Sequence, residues 1–275
     1  MKIGIDLGGT NIRIGVVDQG VIIQKISEPC RADKSEKEVL DHLINMIHQV
    51  FNPAVTSIGI GVPSVVDVKK GIVYNVTHIP SWKEVHLKDI LEKEFQVPVA
   101  VNNDCNCFAQ GEVSYGEGVE FEDIVCVALG TGVGAGIIFN NKLYNGANTG
   151  AGEVGELLYL EHNYEYYCCS HFFVREHHIT GKEAYERACR KDPMALQIWD
   201  EFGSHVGNLI KAILFAYDPQ AIILGGSISK SFEFFSPAMH EVLKSFPYPE
   251  TVAKLKIACS KIEDIAILGA ADLII

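Results

Sequence analysis

The sequence predicts an α/β fold of two related halves, each with a mixed sheet, facing one another across a cleft. Three observations predict it. Glycine-rich turns sit between β-forming runs near residues 8 and 130, strands and helices alternate after each turn, and the two segments match in pattern. Setting Leu7 on Leu129 also pairs Gly8 with Gly130, Val16 with Ile138, Asp18 with Asn140 and Val21 with Leu143. Identity is weak but the pattern is good, as expected of a duplicated hairpin.

The first hairpin spans Ile3 to Asp18 and bends at Asp6-Leu7-Gly8-Gly9-Thr10. Amides gathered in a glycine bend form a concavity for anions, phosphate above all, because no Cβ blocks close approach. Asp6 cannot itself bind phosphate, but it suits a hard cation such as Mg²⁺ held between carboxylate and phosphates. Ser35 to Val50 reads as an amphipathic helix: Ser35 and Glu38 make a capping box, and Val39, Leu43, Met46, Ile47 and Val50 share a stripe. A buried strand from Ser57 ends at Pro63, a helix covers Leu87 to Phe95, and Val97 to Val101 is a short strand.

The second half repeats the plan. Val125 to Phe139 is strand, glycine bend, strand, with Thr131, Gly132 and Gly134 in or beside the bend. Gly130-Thr131-Gly132 followed by Ala135 also fits the dinucleotide fingerprint G-x-G-x-x-A. That motif must open a helix, whereas Gly136 to Phe139 and the Asn140-Asn141 turn read as strand and hairpin. Two facing bends of this kind suit a nucleotide lying between the halves. A helix-rich stretch follows from Gly181 to Tyr217, then a buried strand Ala221–Leu224, a Gly225-Gly226-Ser227 turn and a helix near Ser231. The apolar helix closing the chain, from Ile265 to Leu273, is expected to pack back onto the first half. The domains are thus 1–103 plus 264–275, and 104–263.

The chain has 275 residues, 48% hydrophobic and 21% charged, enough for one large domain or two medium ones with ample core. A formal net charge of -12 argues against a non-specific nucleic-acid binder, which needs a basic face. A strand starting at residue 3 leaves no room for a signal peptide, and no apolar run approaches the ~20 residues of a membrane span. Eight irregularly spaced cysteines read as reduced thiols of a cytoplasmic protein. Cys105, Cys107, Cys168 and Cys169 read as small packing residues.

The strand around Val101 runs into Asn102-Asn103-Asp104-Cys105-Asn106, with Glu112 further on. A carboxylate at the C-terminal edge of a strand lies where open α/β sheets hold ligands. Phosphoryl transfer to an alcohol needs a group that accepts the hydroxyl proton, and Asp104 suits that role. In isolation an Asn-Asn-Asp run is more often a turn, and it is the phosphate-binding bends on either side that favour the catalytic reading.

Taken together, these motifs resemble the ROK family of sugar kinases and sugar-responsive repressors, within the actin-like ATPase (ribonuclease H-like) superfamily. Asp6–Thr10 and Leu129–Gly134 look like its two phosphate motifs, and Gly59–Pro63, Asn103-Asp104 and Gly152-Glu153-Val154-Gly155 also match. The resemblance implies Asp104 as general base, Asn103, Glu153 and Glu176 as sugar ligands, and Gly225-Gly226 as the loop under the adenosine. It implies ATP and Mg²⁺ as cofactors and a homodimer, with no nucleic acid or membrane partner.

Two departures stand out. Glu156 occupies a position where the family usually has histidine. The zinc module Cys-x-Cys-Gly-x-x-Gly-Cys falls on Tyr167 to Val174, where only Cys169 fits, so no zinc is expected. His171, His177 and His178 are read as loop or surface histidines rather than an improvised metal site. Glu156 is expected to accept from a sugar hydroxyl or to turn toward a cation, giving a specificity unlike that of histidine-bearing relatives. The resemblance therefore implies a hexose kinase, glucose at its 6-hydroxyl first. N-acetylglucosamine, N-acetylmannosamine, mannose and fructose are alternatives, as is a non-catalytic sugar-sensing regulator. Repressors of the family carry an N-terminal helix-turn-helix, for which a first strand at residue 3 leaves no place.

Overall fold

In the computed structural model, which describes residues 1–76, 78–148 and 150–274, the opening segment is an antiparallel hairpin. Strands β1 (Lys2–Leu7) and β2 (Asn11–Asp18) pair with Asp6 opposite Arg13, and β3 (Val21–Pro29) extends the meander. Helix α1 (Glu36–Val50) follows, then β4 (Ile58–Val62), which lies parallel to β1. A small antiparallel sheet of β5 (Val65–Asp67), β6 (Ile72–Tyr74) and β7 (Glu84–Val85) precedes α2 (Leu87–Phe95) and β8 (Val99–Asn103). The first sheet therefore runs β3-β2-β1-β4-β8.

Helix α3 (Asp104–Tyr115) leads to the second hairpin, β9 (Ile124–Leu129) and β10 (Val133–Phe139), with β11 (Lys142–Leu143) beyond a two-residue turn. Asn140 and Asn141 both have positive φ there, as a type I′ turn requires. The chain after the glycines is thus a strand, and the dinucleotide fingerprint does not apply. A short hairpin of β12 (Leu158–Tyr159) and β13 (His162–Asn163) comes next. Four helices follow: α4 (Tyr164–Cys168), α5 (His171–His177), α6 (Gly181–Cys189) and α7 (Pro193–Tyr217). Strand β14 (Ala221–Gly225), α8 (Phe232–Leu243), α9 (Pro249–Lys254), β15 (Lys256–Cys259) and α10 (Ile265–Ala271) complete the described chain. The second sheet runs β11-β10-β9-β14-β15, with β14 parallel to β9 and to β15.

The two sheets share one strand order and one pattern of directions. A shift of 122 residues carries the end of β1 onto the end of β9 and the start of β2 onto the start of β10. The next turns differ by one residue because β2 and β3 slip register at Val16/Val17, where a bulge absorbs the extra position.

Each sheet has its own apolar layer. In the first half the stripe of α1 packs with Ile3, Ile5, Ile58 and Ile60; in the second, α7 and α8 pack with Val125, Val127 and Ile222. A third cluster joins α3 and α10 to Ile124, Cys126 and Ile223 of the second sheet. Helix α10 also lies on the first sheet, where Gly4 and Gly59 sit side by side and leave room for its carbonyls. At α1 the capping box forms in full: Glu38 N donates to Ser35 Oγ at 3.3 Å, and Ser35 N donates to Glu38 Oε2 at 3.1 Å. Ser35→Ala is expected to cost ~1 kcal/mol in urea unfolding; a loss below about 0.3 kcal/mol would show that the cap contributes little.

Candidate active site

The register of the first sheet places its polar residues along one edge. Asp6 pairs with Gly61, Gly61 with Asn102, and Val62 with Asn103, so all lie near the C-terminal ends of the parallel strands β1, β4 and β8. Helix α3 begins at that edge with no intervening loop. Asn103 is its N-cap, its Oδ1 accepting from Cys105 N at 2.8 Å and Asn106 N at 3.4 Å, while its Nδ2 donates to Ser64 O at 3.4 Å. One face of this candidate sugar ligand is therefore committed to holding the helix start.

Asp104, the first residue of α3, is bracketed by both halves. A Cβ on Gly61 of β4 would approach Asp104 Cα to 3.3 Å, and one on Gly134 of β10 would approach Cys105 Sγ to 2.8 Å. The second glycine bend thus lies against the same helical turn as the first sheet's edge. Asp104 Oδ1 accepts from Cys105 N at 2.8 Å. Burial, and then the neighbouring charges of Asp6 and Glu153, raise its carboxyl from 3.8 to about 6. Glu112 lies two turns on, fully buried, its Oε2 accepting from Glu117 N at 2.9 Å; it secures the far end of α3.

Glu153 reaches the cluster because of its flanking glycines. Gly152 has φ +97°, and a Cβ there would overlap the carbonyl oxygen of Ala135; a Cβ on Gly155 would overlap that of Val133. Ala135 N in turn donates to Gly152 O at 2.8 Å. The Gly-Glu-Val-Gly segment is therefore laid on the backbone of β10, with Glu153 at the head of a 3₁₀ turn. Burial, then Glu156 and Glu165, raise the Glu153 carboxyl above its usual range. Glu156 Oε2 accepts from Asn163 Nδ2 at 3.1 Å. Glu176 sits on α5, where Arg175 Nε donates to its Oε1 at 3.0 Å and holds its carboxyl below the usual range.

The bends themselves are tightly set. Gly8 N donates to Asn11 O at 2.9 Å and Gly130 N to Gly132 O at 3.0 Å; Gly9, Thr10 and Thr131 complete the two connections. Gly225 ends β14 beside β9, and Gly226 follows with φ +81°, where any side chain would strike the backbone of Leu129. This loop therefore stands beside the second bend.

Several residues that build the candidate site carry little or no signal in the sequence. Arg13 pairs with Asp6 and also with Asp264, Nη1 to Oδ1 at 2.9 Å, tying the first bend to the start of α10. Its signal was available: residues facing one another across a three-residue bend share a face of the sheet. Glu165 Oε2 accepts from Val133 N at 2.9 Å and so fixes the second bend from α4. Asn145 Oδ1 accepts from Asn102 Nδ2 at 2.9 Å and Asn106 Nδ2 at 3.2 Å, joining β8 and α3 to the loop that carries Glu153. Neither residue has a local sequence signal.

Around the start of the segment where the zinc module would fall, aromatic rings meet. His162 stacks on Tyr166 at 3.7 Å, Tyr159 on Tyr164 at 4.4 Å, and Tyr167 lies 4.8 Å from His205. Cys168 is fully buried in the core, and Cys169 Sγ lies 3.8 Å from His171 Nδ1. Among the described residues, no three His, Cys, Asp or Glu side chains gather to hold a metal ion, and no helix is long and apolar enough to cross a membrane.

Two sheets of one topology, each headed by a glycine bend and joined through central helices, define the actin-like ATPase fold. The sequence profile of the ROK family matches residues 2–275, and the chain belongs to that family. It is 27% identical to the glucokinase of Thermotoga maritima, over 99% of this chain and 96% of that protein. It is also 29% identical to the xylose repressor of Bacillus spizizenii, over 90% of this chain and 70% of that one. The ROK family glucokinase of Streptomyces griseus, crystallised with glucose and AMPPNP, superposes with a TM-score of 0.85 at 27% identity, covering 99% and 98% of the two chains.

Proposed function

We propose that this chain is an ATP-dependent sugar kinase that transfers the γ-phosphoryl group to a hexose hydroxyl, first of all the 6-hydroxyl of glucose. The observation carrying this reading is Asp104: a carboxyl raised to about 6, at a helix start bracketed by both halves, beside Asp6 and Glu153. A base of that strength is ionised at neutral pH yet still takes a proton readily. Asp104 accepts the hydroxyl proton as the sugar oxygen attacks the γ-phosphorus in line and the bond to the departing ADP oxygen breaks. Asn103, Glu153, Glu156 and Glu176 bind the sugar hydroxyls.

Gly8, Gly9, Thr10, Thr131, Gly132 and Gly134 cradle the phosphates, and Gly225 and Gly226 lie under the adenosine. The donor set fits magnesium nucleotide: main-chain amides for phosphate and a hard carboxylate oxygen of Asp6 on the same edge. Mg²⁺ held near Asp6, through water, would neutralise phosphate charge. Arg13, which pairs with Asp6, orients that carboxylate. Residues 1–103 with 264–275, and 104–263, are the two domains that close on the substrates and exclude water. We place the protein in the cytoplasm as a homodimer.

A regulator that binds sugar without catalysis is the second reading, favoured by the similarity to a xylose repressor. A coupled ADP-release assay with glucose, mannose, fructose, N-acetylglucosamine and N-acetylmannosamine separates the two. Sugar-dependent ATP consumption supports the kinase; none with any sugar, alongside measurable sugar binding, supports the regulator. Glu156→Gln is expected to raise the KM of the preferred sugar several-fold. Unchanged affinity for every active sugar would remove Glu156 from the sugar contacts.

A further inference from the structure

The carboxylates expected around one sugar differ in their surroundings. Glu153 faces Glu156 and Glu165, whereas Glu176 faces a cation. That cation, Arg175, is unusually well placed. Its guanidinium lies 3.3 Å from the centre of the Tyr166 ring and donates to the Tyr166 carbonyl, while its Nε donates to Glu176. The opposite partner of the Tyr166 ring system is His162, stacked at 3.7 Å. Tyr166 is anchored in turn by Asn163, whose Oδ1 accepts from Tyr166 N at 2.8 Å and whose Nδ2 donates to Glu156 Oε2. One chain of contacts thus runs Glu156, Asn163, Tyr166, Arg175, Glu176, bridging the two ends of the segment where the zinc module would stand. The Glu176 side chain keeps 36% of its surface exposed, so a ligand can still reach it.

We propose that Arg175 is a positioning residue for sugar recognition: laid on Tyr166, it presets Glu176 as a fixed acceptor for a hexose hydroxyl and couples it to Glu156. The proposal rests on the reading of Glu176 as a sugar ligand. A planar guanidinium held on an aromatic face loses little freedom when it orients a carboxylate, so Glu176 meets the sugar already aligned. Arg175 touches neither the reacting hydroxyl nor phosphate, so its effect falls on sugar binding and not on the chemical step.

The test measures ADP release with D-glucose and Mg-ATP for the wild type, Arg175→Met, Arg175→Lys and Glu176→Gln, with folding checked by circular dichroism and melting. Arg175→Met is expected to raise the glucose KM about tenfold with kcat within about twofold, the low end for a charged hydrogen bond at a part-exposed site. Arg175→Lys, which keeps the charge, is expected to recover at least about threefold of that loss. Glu176→Gln is expected to raise KM by at least about tenfold. A raised KM in Glu176→Gln beside an unchanged one in Arg175→Met overturns the proposal and leaves Glu176 as a ligand. Equal KM values for the Met and Lys variants overturn it too, since packing alone then explains the effect. An unchanged KM in Glu176→Gln overturns the underlying ligand reading, whatever Arg175 does. Should the Met variant fail to fold, the Lys variant decides: a kcat loss without a KM change counts against positioning.

Discussion

Asp104→Asn is expected to lower kcat by ~10²–10⁴ while the KM for sugar stays within about twofold. The substitution keeps size and keeps an oxygen for Cys105 N, so the helix start is preserved. It removes only the group that takes the proton. The wild type should show an acid limb in kcat/KM for the sugar centred near the Asp104 value of about 6 in the free protein, with activity rising as pH increases through it. The variant's residual rate should lack that limb.

Stability moves the opposite way. The folded state holds the Asp104 proton more tightly than the unfolded chain, whose carboxyl stays near 3.8. Stability from this group is therefore present below about pH 4 and lost as pH rises through about 6. At neutral pH the ionised carboxylate costs about 1–3 kcal/mol, and Asp104→Asn should raise the melting midpoint by a few degrees. Wild-type turnover in the variant, measured by ADP release, would remove Asp104 from the chemistry.

What was legible beforehand followed from local rules. Alternation, glycine bends and a capping box act over a few residues, so the hairpins, α1, α2, β4 and β14 could be read directly. Helix α3 could not. Asn106, Cys107, Phe108, Ala109, Gly111 and Glu112 are all buried, so the helix between the sheets has no solvent face to display a period. The Asn102-Asn103-Asp104 run, which alone resembles a turn, is instead the end of β8 and the cap and first residue of that helix. The candidate site was legible where motifs carry it, at Asp6, Asp104 and Glu153. Glu165 and Asn145 were not, because each meets its partners across a long stretch of chain: Val133 for Glu165, and Asn102 and Asn106 for Asn145. Arg175 belongs with them, because it stacks on Tyr166, nine residues back, and no spacing rule for so short a pair of helices predicts that contact.

Gly152→Ala is expected to abolish measurable sugar turnover and to destabilise the fold by about 2–4 kcal/mol. Its backbone φ of +97° is one that side-chain-bearing residues rarely adopt, and its Cβ would overlap the Ala135 carbonyl. Relief requires the loop to lift from β10, which breaks the 2.8 Å bond from Ala135 N to Gly152 O. Glu153 rides on that segment, and a misplacement of about 1 Å in a binding group can cost ~10²-fold in rate. Gly150 supplies the internal control. It belongs to the same loop, but among the described residues no atom beyond its immediate chain neighbours lies within 4 Å of where its Cβ would stand, so Gly150→Ala should be close to neutral. Urea unfolding and sugar saturation curves for the pair read both effects at once. If Gly152→Ala matched Gly150→Ala in both, the contact between this loop and β10 could not be what sets the position of Glu153.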